Sequence, residues 1–90
     1  GGLKGEAMTT QSVFVAVYSY KYGEDIRVFA THDAALAWRD SIGEAYFQRE
    51  FPHDEKPAND VGESYFNLQS ECGDEWFSIT EAQIEQAEAA

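Results

Sequence analysis

The sequence predicts an α+β fold: a four-stranded antiparallel sheet in the order β-β-α-β-β, one long helix packed on one sheet face, and a short C-terminal helix. Three observations carry this expectation. Residues 13–22 alternate as a strand and run into a glycine turn, apolar residues from Ala35 to Arg49 recur at helical spacing, and strand-like alternation resumes after a proline-containing loop.

The first strand is Val-Phe-Val-Ala-Val-Tyr-Ser-Tyr-Lys-Tyr, residues 13–22. Val13, Val15 and Val17 occupy its odd side, and Phe14, Ala16, Tyr18, Tyr20 and Tyr22 its even side, so both faces need cover. Gly23 supplies the unusual φ that a tight hairpin needs, and Ile26 to Ala30 returns as a second strand nearer the sheet edge. Thr31 is placed to cap the helix that follows, with Asp33 complementing the helix dipole. That helix is expected to stop before Pro52. Its buried stripe is Ala35, Trp38, Ile42, Ala45, Tyr46 and Arg49, widened by Leu36 and Phe47. Gly43 costs up to about 1 kcal/mol relative to Ala there; it marks a close approach of helix and sheet, or is tolerated.

Pro52 to Glu63 has two prolines and no period, and is expected to be a mobile loop. Ser64 to Glu71 alternates, with Phe66 and Leu68 opposite Tyr65, Asn67 and Gln69, and reads as the third strand. Cys72-Gly73-Asp74 is the next turn and Glu75 to Ile79 the fourth strand. Thr80-Glu81-Ala82-Gln83 matches a capping box and predicts the C-terminal helix.

Burying the helix stripe against the valine side, together with Phe66, Leu68, Phe77 and Ile79, leaves an opposite face carrying Phe14, Tyr18, Tyr20, Arg27, Phe29, Tyr65, Asn67, Gln69 and Trp76. Aromatic residues and Arg concentrate at interface centres, and monomers rarely expose so large an apolar patch, so this face is expected to bind something. A second copy of the chain leads, because a two-fold dimer is the simplest symmetric cover for a small domain. A different protein and a small molecule held by Arg27, Asn67 and Gln69 follow, as does cover by the chain's own loop or C-terminal helix.

Composition narrows the function classes. Residues 1–8 are set aside as an expression remnant and start of chain, and 9–90 form one domain. With 17 acidic against 6 basic residues and a net charge of -11, nucleic-acid binding is disfavoured, since phosphate affinity rests on Lys and Arg. The acidity serves solubility, or else suits an inhibitor or DNA mimic docking on a basic protein. No apolar run approaches the length of a membrane helix, no signal peptide is visible, and the single Cys72 fits a reducing compartment, so a cytoplasmic protein is expected. No nucleotide-binding glycine motif or zinc spacing is present, and His32, His53 and Cys72 are too dispersed to form a metal or nucleophilic site. The expectation is a non-enzymatic module with no catalytic residues, metal or cofactor. The pairs Glu24-Asp25 and Asp74-Glu75 read as solvated turn residues.

The opening hairpin, with Val13, Val15, Ser19, Gly23, Asp25 and Thr31 followed by an Ala-rich helix, resembles small uncharacterised proteins of bacterial mobile DNA, from phages, plasmids and integron cassettes. The resemblance covers the first half of the chain best. It implies an accessory gene product and carries no known activity, so it transfers no functional residues.

Overall fold

A computed structural model describes residues 11–84. They form an α+β domain with a three-stranded antiparallel sheet and two helices in the order β1 (Gln11–Tyr20), β2 (Gly23–Phe29), α1 (His32–Glu50), α2 (Val61–Cys72) and β3 (Trp76–Ile84). The sheet order is β2-β1-β3, so the opening strand is central.

The hairpin closes through Lys21-Tyr22, with Gly23 at φ 155°, which side-chain-bearing residues rarely adopt. The Thr31 hydroxyl accepts from the Ala34 N–H at 3.1 Å, capping α1 as its position predicts. The helix ends at Glu50, before Pro52, and buries Ala35, Trp38, Ile42, Gly43 and Phe47; Ala45 faces solvent.

Two expected elements are different. Residues 61–72 form a helix where a third strand was expected. The period-two alternation of residues 65–69 is real but local, and Val61, Gly62, Tyr65 and Gln69, the residues this helix buries, fall at the longer 3-4 spacing of a helix face. The preceding loop shortens to Phe51–Asp60. It is tied down by an ion pair from Lys56 to Glu44 at 2.7 Å and by a bond from the Gln48 amide to the Asp54 carbonyl at 3.3 Å.

The second difference is at Thr80–Gln83, which continue β3 where a capping box predicted a helix. The length of β1 explains it. The hairpin register pairs β2 with β1 only from Phe14 to Tyr20, whereas β3 pairs from Gln11 to Ser19 and supplies partners for the otherwise open start of the central strand. What was expected to follow as helix beyond Ile84 lies outside the described residues.

The helices pack against each other where Gly43 meets Gly62. A Cβ on Gly43 would lie 2.8 Å from the Val61 carbonyl oxygen, and one on Gly62 would lie 2.6 Å from that of Arg39. Gly43 therefore marks a helix–helix contact, not a helix–sheet one. The start of α2 is held from α1, since Asp40 Oδ1 accepts from the Gly62 N–H at 2.9 Å. Alanine favours an isolated helix by about 1 kcal/mol over glycine. Overpacking against rigid backbone reverses that sign: Gly43→Ala and Gly62→Ala should each lose about 1–3 kcal/mol in urea denaturation. A gain for either would refute the close contact.

Candidate interaction surface and adjoining cleft

The pairing registers decide which sheet face the helices cover. Phe14 lies opposite Phe29 and Glu81, Ala16 opposite Arg27 and Ile79, and Tyr18 opposite Asp25 and Phe77. These residues share one face, and it is the inner one. Ala16 and Tyr18 are buried. Trp38 of α1 meets Phe77 at 5.3 Å, Phe29 at 5.8 Å and Tyr18 at 6.5 Å between ring centroids, and the Arg27 guanidinium lies 4.6 Å from its ring. Phe66 of α2 closes the cluster against Tyr18 at 5.7 Å and Phe77 at 5.4 Å.

The expected orientation of the sheet is thus reversed. Phe14, Tyr18, Tyr20, Arg27 and Phe29, expected on the free face, lie on the face that the chain's own helices cover. Tyr65 and Gln69 are buried on α2, and Asn67 is exposed on that helix. Trp76 alone is on the uncovered side, opposite Ser19.

The outer face is aliphatic. Its register rows are Val13 with Ala82, Val28 with Val15 and Thr80, and Ile26 with Val17 and Ser78, flanked by Gln11–Ile84 at one end and Glu24, Ser19 and Trp76 at the other. Ile26, Val28, Trp76 and Ile84 retain 60, 61, 58 and 44% of their accessible surface, far more than isolated core-type residues need. Glu24 is the one charged side chain on this face among the described residues, in a chain that is 26% charged. Strands about 4.8 Å apart and roughly 23 Å long give a footprint of about 300 Å² before side-chain relief, already in the range of functional patches.

On the helix side, Glu75 ties three elements together. Its Oε1 accepts from the Tyr18 hydroxyl at 2.8 Å and the Tyr65 hydroxyl at 2.7 Å. The Gln69 amide donates to the Tyr65 oxygen at 3.1 Å, and its carbonyl accepts from the Asp74 N–H at 3.0 Å. Tyr18 of β1 and Tyr65 of α2 are thereby joined to the residue that leads into β3. Glu75, expected to be a solvated turn residue, is instead half-buried and doubly bonded. In the sequence Tyr18 and Tyr65 read as open-face residues, so the need of two buried hydroxyls for a shared partner gave no signal there. Burial raises the pKa of both phenols above the usual 10.0, and the Glu75 carboxylate reinforces the shift.

Beside this network, the hairpin tip, the end of α1 and the turn before β3 flank an open cleft of about 570 Å³ lined by Tyr18, Tyr20, Tyr22, Tyr46 and charged side chains. The described residues contain no cluster of three or more His, Cys, Asp or Glu able to hold a metal ion, and none of their helices is long and apolar enough to cross a membrane. No protein-family model, curated protein or solved structure matches this chain.

The phenol network fixes a pH dependence. A folded-state pKa raised above the unfolded value means that the protonated hydroxyl stabilises the fold. This contribution is complete below pH 10.0 and is lost as pH climbs toward the raised values. Tyr65→Phe should cost about 1–3 kcal/mol at neutral pH, because it removes a donor from Glu75. It should also flatten the alkaline fall of the urea midpoint above pH 10.0. An alkaline limb as steep as in the unmodified chain would show that Tyr65 is not part of that titration.

Proposed function

We propose that this protein is a non-enzymatic interaction module whose docking surface is the outer sheet face, and that the surface pairs with a second copy of itself. The observation that carries the reading is the coincidence of large aliphatic exposure with charge depletion on one face of a strongly acidic chain. Interface centres differ from ordinary surface in this way, by losing charge. Self-association follows from the chemistry of the face. Its rows of Val, Ile, Ser and Thr are complementary to themselves, and aligned sheets stack about 10 Å apart without specific polar partners. A basic protein would dock instead where the carboxylates lie.

Two such faces bury about 600 Å² before side-chain relief, below the range of stable specific interfaces, so the dimer is weak and reversible, not obligate. Sedimentation should show monomer and dimer exchanging at about 10–100 μM, concentrations typical of so small a contact. Val28→Asp enters a two-fold interface twice. At about 1.5 kcal/mol or more per copy it should weaken the dimer at least about 100-fold, with the circular dichroism of the fold unchanged. Raising the salt should tighten the dimer, because both partners carry -11 and screening removes their repulsion, whereas it would weaken capture of a basic protein. A chain that stays monomeric at about 500 μM, or a dimer indifferent to Val28→Asp, refutes this reading.

A further inference from the structure

Among the described residues the sheet has two open edges, and they differ in charge. β2 pairs with β1 along one side only, and every residue from Gly23 to Val28 is exposed, Asp25 and Arg27 on the helix side included. α1 therefore does not overhang this edge. A two-residue loop closes on a pair that exchanges both backbone bonds, here Tyr20 and Gly23. By alternation Asp25, Arg27 and Phe29 also bond to β1, while Glu24, Ile26 and Val28 turn their N–H and C=O groups to the open side. Edge strands are commonly blunted by Lys, Pro or a bulge, and β2 has none of these along an unbroken register. Arg27 also lacks a carboxylate partner in a chain with 17 acidic residues, since the ion pairs among the described residues are Arg49–Glu50 and Lys56–Glu44. Its guanidinium lies 4.6 Å from the Trp38 ring, a stacking that uses its plane and leaves the N–H groups at its rim to donate. Asp25, two positions earlier on the same face, accepts from the Tyr20 hydroxyl at Oδ1, and its second oxygen remains for another donor.

We infer that β2 pairs edge to edge with β2 of a second copy, antiparallel and centred on Ile26, so that the two sheets become one. Charge selects both the edge and the register. Centred on Ile26, a two-fold axis normal to the sheet sets Asp25 opposite the partner's Arg27 and Arg27 opposite the partner's Asp25, two opposite-charge pairs on the inner face. On the same register Ile26 meets its own copy and Glu24 meets the partner's Val28, so all three outward-turned residues find backbone partners. Gly23 meets the partner's Phe29, whose ring can cover the strand where the glycine has no side chain. Moving the centre by one residue sets Asp25 or Arg27 against its own copy, and like charges directly opposite are destabilising. β3 offers no such match, because its one charged residue is Glu81 and no cation on that strand can meet it. The axis keeps both helix layers on one side and both aliphatic faces on the other, so edge pairing is compatible with stacking of the outer faces and does not depend on it.

Amide hydrogen exchange of the full chain, read by NMR, tests this without any substitution. Between about 50 μM and about 1 mM chain, the span in which so small a contact becomes populated, the N–H groups of Glu24, Ile26 and Val28 should slow about fivefold. Those of Phe77, Ile79 and Glu81, which the same alternation turns outward on β3, should not change. Stacked outer faces form no backbone bonds and give no such contrast between the edges. Sedimentation then tests the register in a Thr80→Asp background, which places a carboxylate on the outer face from β3 and so removes stacking. There Asp25→Arg and Arg27→Asp should each weaken association about tenfold, because each sets like charges opposite one another twice. A one-to-one mixture of the two variants restores both opposite-charge pairs and should associate like the background chain. Equal exchange at the two edges, or a mixture that associates no better than its components, overturns the inference. Val28→Asp disturbs both contacts, since it also sets a carboxylate opposite the partner's Glu24, whereas Thr80→Asp lies two strands from the β2 edge. The edge pairing and the stacking therefore fail separately.

Discussion

The central strand has two apolar faces, and a chain of this size can cover only one of them. Everything else in the fold adjusts to that constraint. Successive side chains of β1 point to opposite sides, so the choice of inner face is all or nothing: Phe14, Ala16, Tyr18 and Tyr20 go one way together, and Val13, Val15 and Val17 the other. β2 and β3 inherit the choice through their registers. α1 and α2 then form one layer over the aromatic side, drawn together at Gly43 and Gly62, where a side chain on either would strike the other helix's backbone. The second helix widens that layer, yet it gives the valine side no cover.

Within the covered side, the Glu75 network connects the sheet to the helix layer by directional bonds. Aromatic packing among Trp38, Phe66 and Phe77 supplies area but little directional preference. Two hydroxyls converging on one carboxylate oxygen fix where the β3 entrance sits relative to β1 and α2. A half-buried carboxylate is costly without partners, so the tyrosines and the acid stabilise one another. That position at the core's edge is also what leaves Glu75 facing the cleft.

Much of this was legible in the sequence, and the misses share a cause. The hairpin at Gly23, the Thr31 cap and the extent of α1 are set by residues within a few positions of one another, and local chemistry placed them. Residues 61–72 required weighing two periods at once. Phe66 and Leu68 alternate with polar neighbours as a strand would, but Val61, Gly62, Tyr65 and Gln69 extend further at helical spacing and form the buried face, and the longer pattern governs. Thr80-Glu81-Ala82-Gln83 has a local helix signal that loses to the distant demand of Gln11–Val13 for pairing partners. The face assignment failed for the same reason. Both sides of β1 are apolar, so periodicity shows that there are two faces and is silent on which one the helices take. Of the expected contact residues, the structure gathers Tyr18, Tyr65 and Gln69, but around Glu75 inside the molecule, while Trp76 stands alone outside.

The reversal itself has a physical basis that residue types could have supplied. Tyrosine and arginine have polar ends, and a face built from them is buried stably only where those ends find partners in a fixed arrangement. The chain provides such partners on its own helix side: Glu75 for Tyr18, Asp25 for Tyr20 at 3.3 Å, and the Trp38 ring for Arg27. Valine and isoleucine make no such demand. A face composed of them can stay open without stranding a polar atom, and when it is covered, any apolar surface of matching shape suffices. An aromatic face with polar handles is therefore the one a single chain does better to enclose. The aliphatic face is the one it can leave for a partner, and the near absence of charge there, in a chain carrying -11, is what keeps that option open.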